Sequence, residues 1–343
     1  RGIEIYMKAV YVKAPYMFEV RDVELRDIGP DEALVRVKAC GVCGTDLQLA
    51  ATDAEEWQSF GHEIAGVVEK VGKNVKGVKV NDNVLLESGS FCRECATCRN
   101  GRVDLCNGAP NIFKGDTMGF AEYIIAPKEC LVPFSGIDFA EATVVEPLGV
   151  ALDLVYTADI KLNDDVLVVG LGPIGLMALK LAKAMGARNV YGAALSRSKA
   201  RINLAREYGA ADIVYTDVTS LEDYKFPRGG VDKVLVTAPP RTIPQALKVT
   251  NIGGIVAFLG IEYGERGIIS FDANEFHFRK LQLRASYAAP ALWFPRCIEL
   301  IESGVINPKS LITHKFKLEE MDKFMLKARD DKSDIIKMVM VNY

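Results

Sequence analysis

From Met7 to about Ala126 the chain runs as short stretches of alternating apolar and polar residues, broken by glycine and charged turns. Leu34-Val35-Arg36-Val37-Lys38-Ala39 and Gly66-Val67-Val68-Glu69-Lys70-Val71 are the clearest cases. A period of two marks a strand with one face buried, so this region is predicted to be mainly β. The pattern changes beyond Asp165. Aliphatic Val166 to Val169 ends in Gly170-Leu171-Gly172-Pro173-Ile174-Gly175, after which apolar residues recur at helical spacing as far as Gly186. That order predicts strand, tight turn and helix. Aliphatic strands then alternate with amphipathic helices: Asn189 to Ala194, Ile213 to Tyr215, Asp232 to Val236, Ile255 to Gly260 and Leu281 to Ala285. With Val166 to Val169 they complete the strand set of a doubly wound α/β sheet. After Pro290 the spacing predicts a helix around Phe294 to Ser303, a turn at Gly304, a strand, and a last helix and strand. Because the parallel sheet is already complete at Ala285, this tail is assigned back to the first domain. The predicted division is residues 1–150 with 290–343, and residues 151–289.

The length of 343 residues agrees with two separate cores. Met7-Lys8-Ala9-Val10 reads as the beginning of the folded part, with Arg1 to Tyr6 a short extension. A net charge of −3 gives no basic surplus, so neither nucleic acid nor an anionic membrane is expected as a partner. The apolar runs are broken by glycine and fall short of a membrane span. The first residues lack the charged-then-apolar layout of a secretion signal, and a cytoplasmic protein is expected. No repeats or low-complexity segments stand out.

Three groups of residues carry chemistry. The glycines at 170, 172 and 175, with Pro173 and Ile174 between them, open a helix directly after a strand. Such a turn lets a pyrophosphate approach the backbone N–H groups and the positive end of the helix dipole, which predicts a dinucleotide site. The second group is Gly41-Val42-Cys43-Gly44-Thr45-Asp46 with Gly61-His62-Glu63. Of the three histidines, His62, His277 and His314, His62 has the metal-like neighbourhood. Cysteine, histidine and a carboxylate suit zinc, and three protein ligands leave a position open. Taken singly, Cys43 reads as a packing thiol and His62 as a hydrogen-bonded loop residue. The third group is Cys92, Cys95, Cys98 and Cys106, spaced C-x2-C-x2-C-x7-C. This spacing closes a four-sulfur cage with no open position, as in a structural zinc site; an iron–sulfur cluster and a disulfide pair are the rival readings. The remaining Cys40, Cys130 and Cys297 are taken as buried thiols. Glu146, in Val144-Val145-Glu146-Pro147-Leu148-Gly149, is a lone carboxylate among apolar residues. It reads either as the cap of a helix beginning near Pro147 or as a further group at the metal.

In this order the motifs resemble the zinc-containing medium-chain dehydrogenases over nearly all of Met7 to Tyr343. The resemblance implies a GroES-like, mainly β catalytic domain interrupted by a Rossmann domain. Glu146 followed by Pro147 is more similar to the polyol (sorbitol) branch than to the animal alcohol dehydrogenases. In that branch the positions of Cys43, His62 and Glu63 hold the catalytic zinc, with Glu146 on the metal or its water. Thr45 matches the hydroxyl that receives the proton of the alcohol. The implied reaction is hydride transfer between a secondary alcohol, polyol or sugar and NAD(P), in a homodimer or homotetramer. Two positions depart from the pattern: Gln48 stands where some relatives place a relay histidine, and Ser286 precedes Tyr287 where the polyol enzymes carry arginine.

A third departure concerns the cofactor. The carboxylate expected about twenty residues beyond the glycine turn, which binds the ribose hydroxyls of NAD, is missing: the position falls at Ala194 or Ser196. Arg197, Lys199 and Arg201 follow at once. Serine and arginine donors serve a 2′-phosphate well, which favours acceptance of NADP, although the same cations also fit the exposed face of the next helix. Gln48, Trp57, Phe113, Tyr287 and Trp293 read as packing residues or as pocket walls. Two other functions share the scaffold: oxidation of a hydroxyamino acid such as L-threonine, and catalytically silent nucleotide binding. Retention of Cys43, Thr45, His62, Glu63 and Glu146 together counts against the silent protein.

Overall fold

The computed structural model describes residues 6–342, so Arg1 to Ile5 of the expected extension lie outside it. Chain contacts divide it into two compact units, one running to Gly149 and taking up Ala288–Glu302 and the chain from Asn307 on, the other Val150–Tyr287 with Ser303–Ile306.

The first unit begins with strands β1 (Tyr6–Lys13), β2 (Met17–Glu24), β3 (Glu32–Gly41), β4 (Gln58–Ser59), β5 (Glu63–Val71), β6 (Asn83–Leu86), β7 (Tyr123–Pro127) and β8 (Leu131–Pro133). Tyr6, expected in the extension, already pairs with Glu24 in β1. Alternation shows why β3 forms: Val35, Val37 and Ala39 are fully buried, while Arg36 and Lys38 between them are partly exposed. Phe60 and Phe120 pack their rings 4.6 Å apart in the same core as Ile64 and Leu86.

In the second unit the strands are β9 (Asp165–Val169), β10 (Asn189–Ala194), β11 (Asp212–Tyr215), β12 (Val231–Val236), β13 (Thr250–Phe258) and β14 (Gln282–Ala285), in the spatial order β11-β10-β9-β12-β13-β14. All neighbours are parallel. Parallel sheets carry helices on both faces, so their strands are buried on both sides, and Val166, Leu167 and Val168 are fully so. The order reverses direction beside β9, and the carboxyl ends of the strands at such a switch point form the crevice where nucleotides bind. β13 starts five residues before the predicted Ile255 because its first pairing, Thr250 with Val231, is separated from the rest by a bulge. Asn251-Ile252-Gly253-Gly254, which reads as a turn, is that bulge, with Gly253 at φ 77°.

The tail adds a helix at Phe294–Glu302 and strands β15 (Ile312–Phe316) and β16 (Lys337–Val341). β16 pairs with β3, so the large sheet of the first unit runs β15-β16-β3-β5-β6-β8, with β7 also on β3. Among the described residues no helix is long and apolar enough to cross a membrane.

Candidate metal centres and nucleotide turn

Cys43 lies just past β3 and caps the short helix Gly44–Gln48. Asp46, three residues on, returns its carboxylate to the Cys43 backbone N–H, which donates to Oδ2 at 2.8 Å. This reciprocal arrangement fixes the thiol at the end of the strand. Thr45 Oγ1 lies 3.7 Å from Cys43 Sγ. Gly61, at φ 91°, turns the chain into β5 and so presents His62 and Glu63 beside Cys43. The ligand atoms of Cys43, His62 and Glu63 all lie within 4.8 Å of one another.

Glu63 is buried and forms an ion pair with equally buried Lys337, the first residue of β16, though without the alignment of a hydrogen bond. Lys337 Nζ also donates to the Val42 carbonyl at 3.0 Å. The two side chains meet across β3 at Gly41, where an added Cβ would lie 2.0 Å from Glu63 Oε2. Asp46 Oδ1 is buried 3.9 Å from His62 Nδ1 and lacks a hydrogen-bond partner among the described residues.

Electrostatics ties these groups together. Burial alone would lower the His62 pKa, but the Cys43 sulfur, Asp46 and Glu146 outweigh it and hold the imidazole well above its usual value. Glu146 is pushed up to about 7, by burial first and by Glu63 and Asp46 in addition, against His62 and Lys337. Burial likewise raises Asp46. Three carboxylates and a thiol are thus gathered around one lysine and one histidine. A dication with sulfur, nitrogen and oxygen donors fits this set, and an orphaned buried carboxylate oxygen at its edge points the same way. Glu146 lies in the first turn of the helix Val145–Thr157, which begins two residues before the expected Pro147. It therefore combines both expected features: a carboxylate at a helix start, and a charge acting on His62 and Glu63. It is not one of the three mutually close ligands.

The four-cysteine array is equally compact, with all four sulfurs within 4.8 Å of one another. Cys92 Sγ to Cys106 Sγ is 3.5 Å and Cys95 Sγ to Cys106 Sγ is 3.9 Å. Zinc–sulfur bonds of about 2.3 Å give a tetrahedron with edges of about 3.8 Å. The spacing fits four thiolates round one ion and is far longer than a disulfide bond. All eight cysteines are free, which removes the disulfide reading. Backbone N–H groups of Glu94 and Cys95 donate to Cys92 Sγ at 3.5 and 3.3 Å, and that of Cys92 donates to Cys106 Sγ at 3.4 Å. Those donors lower the Cys92 thiol, while the Thr97 hydroxyl and then the Cys98 backbone N–H bring Cys95 down to about 6. Cys40, Cys130 and Cys297 are buried, as expected.

In the second unit the glycine turn follows β9. Gly170 adopts φ 97° and its N–H donates to Ala193 O of β10 at 2.9 Å. Gly172 caps the helix Pro173–Ala184, and an added Cβ there would meet nothing within 4 Å, leaving room for a ligand. Gly175 is the opposite case: a Cβ would lie 1.9 Å from Gly170 O. Gly175→Ala is therefore expected to open the turn, at a cost of roughly 1–3 kcal/mol of stability, and to weaken NADH binding about tenfold or more. Fluorescence titration of the purified variant against the parent checks this; unchanged affinity would remove the turn from the nucleotide site. Thr237 Oγ1, at the end of β12, donates to Gly170 O at 2.8 Å and braces the turn.

Of the residues expected at the adenosine end, Ala194 is buried at the end of β10, Ser196 and Arg197 are exposed beyond it, and Lys199 opens the helix Lys199–Glu207. Arg201 is partly buried on that helix, and burial lowers its pKa. Ser196 already has a partner: its N–H and Oγ donate to the two carboxylate oxygens of Asp217 at 2.8 and 2.6 Å.

Other candidates are dispersed. The Gln48 amide donates to Thr52 and Asp53, Trp57 lies under the Arg21 guanidinium, and Ser286 Oγ donates to Asp153. Phe113 is exposed with its ring 6.0 Å from that of His62. Asp46, Lys337, Thr237 and Asp217, which carry no predicted role, are brought by the fold into contact with Cys43, Glu63, Gly170 and Ser196 respectively. Asp46 was open to detection through its spacing from Cys43, which is that of a capping box. Lys337 was open to detection as a lysine inside the apolar run Ile335-Ile336-Lys337-Met338-Val339. Thr237 and Asp217 carry no local signal.

Residues 29–136 match the alcohol dehydrogenase GroES-like domain, and residues 173–303 match the zinc-binding dehydrogenase domain. Among curated proteins, L-idonate 5-dehydrogenase of Vitis vinifera is 30% identical over 87% of this chain and 84% of its own length. L-threonine 3-dehydrogenase of Pyrococcus furiosus is 33% identical over 89% of this chain and 90% of its own. Among solved structures, a putative zinc-binding dehydrogenase from Sinorhizobium meliloti bound to NADP superposes with a TM-score of 0.86 at 29% identity, covering 99% of this chain and 100% of that one. With cysteine, histidine and carboxylate brought together after β3, a four-sulfur cage, and a glycine turn at the switch point of a parallel sheet, the chain belongs to the zinc-containing medium-chain alcohol/polyol dehydrogenase family.

Proposed function

We propose that this zinc- and nicotinamide-dependent oxidoreductase oxidises a secondary alcohol, polyol or sugar at the Cys43, His62 and Glu63 cluster, with NAD(P) as hydride acceptor. The observation that carries the reading is the mutual approach of those three donor atoms within 4.8 Å, beside the further carboxyl groups of Asp46 and Glu146. Zinc held there supplies Lewis acidity toward an alcohol oxygen. Cys43 and His62 would hold the metal, with Glu63 shared between it and Lys337. Glu146 would adjust the charge at the cluster from the first turn of its helix. Thr45 Oγ1, exposed beside Cys43, would receive the proton of the alcohol. Cys92, Cys95, Cys98 and Cys106 would hold a second, structural zinc.

The nucleotide would lie with its pyrophosphate on Gly170, Gly172, Pro173, Ile174 and Gly175, and its adenosine end toward Ala194, Ser196, Arg197, Lys199 and Arg201. The lack of a carboxylate at Ala194 and the exposed Arg197 support acceptance of NADP alongside NAD. A catalytic zinc domain of residues 1–150 and 290–343, a nucleotide domain of 151–289, a cytoplasmic location, and assembly as a homodimer or homotetramer complete the reading. L-Threonine is the second reading, favoured by the similarity to the threonine dehydrogenase of Pyrococcus furiosus.

A panel of secondary alcohols, polyols, sugars and L-threonine, assayed with NAD and NADP, tests both. Turnover of a polyol, sugar or simple alcohol that stops on chelation and returns with zinc is expected. Fastest turnover of L-threonine would move the assignment to the second reading. Metal-independent turnover, or none by protein that holds both zinc and nucleotide, would overturn the proposal.

A further inference from the structure

The adenosine end of the nucleotide turn contains a carboxylate that its own strand does not supply. β10 and β11 are parallel neighbours, with Ala194 opposite Tyr215, and the Thr216 N–H donates to Ala194 O at 3.0 Å. Their carboxyl ends therefore finish side by side, next to the glycine turn that Gly170 ties to Ala193. From the end of β11, 21 residues beyond Ser196, Asp217 reaches across and takes both of that residue's donors, one on each oxygen. The Ser196 donors, which otherwise suit a 2′-phosphate, are thus engaged by an anion, and the site that lacks an acid on β10 holds one from β11.

We infer that Asp217 is a specificity-determining residue for the nicotinamide cofactor: its carboxylate holds Ser196 and repels a 2′-phosphate, limiting how far Arg197 can favour NADP over NAD. Two bonds from Ser196 and the nearby Arg197 charge lower the Asp217 pKa, so the group is ionised at neutral pH. For NADP to use the Ser196 donors, Asp217 has to swing out, and its charge still faces a phosphate that carries nearly two of its own. For NAD the same carboxylate is an acceptor of the right kind for a ribose 2′-hydroxyl, the role an acid on β10 plays in other dinucleotide folds. Acceptance of both cofactors follows from Arg197 and Asp217 acting in opposition, and the balance lies with Asp217.

This inference rests on the dehydrogenase reading, and the test separates the two. Dissociation constants for NADPH and NADH are measured by fluorescence titration at fixed salt, on the parent protein and on Asp217→Asn and Asp217→Ala. Asparagine keeps an acceptor for Ser196 and removes the charge; alanine also frees the serine. Both variants are expected to shift the NADPH-to-NADH affinity ratio toward NADPH by about tenfold or more, the scale of one charge–charge contact near a protein surface. In the parent, Arg197→Ala should shift the ratio the other way. Equal weakening of both cofactors in the Asp217 variants would make the residue a mere loop brace and overturn the inference, as would an unchanged ratio; either leaves the dehydrogenase reading standing. Failure of the parent protein to bind either nucleotide would overturn both together.

Discussion

Replacing Cys43 or His62 by alanine is expected to remove turnover while leaving nucleotide binding intact. Each side chain supplies one of the three donors that meet within 4.8 Å, and a site reduced to two ligands holds zinc poorly. Metal-ion catalysis supplies several kcal/mol of transition-state stabilisation, so a loss of about 10³-fold or more in kcat is expected. The glycine turn and the strands that carry it are built within the second unit, so NADH affinity should stay within about twofold of the parent's. Steady-state kinetics, NADH titration and zinc content, measured on the same preparations, check this. Turnover within tenfold of the parent in both variants would remove the metal from the reaction.

Cys106→Ser is expected to act on stability before it acts on chemistry. Cys106 Sγ lies near both Cys92 and Cys95 and accepts the Cys92 backbone N–H, so its loss opens the cage on two sides. The segment from Cys92 to Cys106 holds only a four-residue helix and a single turn between them, and its own apolar burial is slight. Without the metal little else orders it. Structural zinc contributes directly to folding, and a loss of several kcal/mol in a chain of this size lowers the melting temperature by roughly 5 °C. The zinc content should fall by one ion per chain, while molecules that remain folded at low temperature retain activity. Unchanged heat resistance together with unchanged zinc content would argue against a structural metal.

The glycine turn and the cysteine array were legible because each is local: three glycines stand between a strand and a helix, and four cysteines fall within fifteen residues, a spacing shared by a zinc cage, an iron–sulfur cluster and a disulfide pair until the free thiols removed the last. The parallel strands were legible for a related reason, since burial on both faces demands uninterrupted aliphatic runs such as Val166 to Val169. Cys43, His62 and Glu63 were found through their short motifs, but what surrounds them was not. The partner of Glu63 comes from a strand near the end of the chain, and an ion pair between distant segments leaves no mark on the spacing of either. Asp217 escaped in the same way: Tyr215-Thr216-Asp217-Val218 reads as an ordinary exit from a strand, and only the parallel register of β10 and β11 brings it to Ser196. The start of β13 was placed at Ile255 rather than Thr250 because Gly253-Gly254 has the composition of a turn, while pairing with β12 already begins before it.

The meeting of Glu63 and Lys337 across Gly41 has a consequence for how the protein is made. Lys337 Nζ bonds a carbonyl 295 residues earlier in the chain, and the whole second unit is encoded between them. While the chain emerges from the ribosome, Cys43, His62 and Glu63 are present throughout synthesis of the second unit with the place of β16 beside β3 still empty. During that interval the Glu63 carboxylate lacks its ammonium partner, and an edge of the large sheet stays open to pairing with other chains. The cluster reaches its final charge balance only when the last strand arrives, so a ribosome stalled before Lys337 would hold a donor triad that is complete in sequence and unfinished in charge.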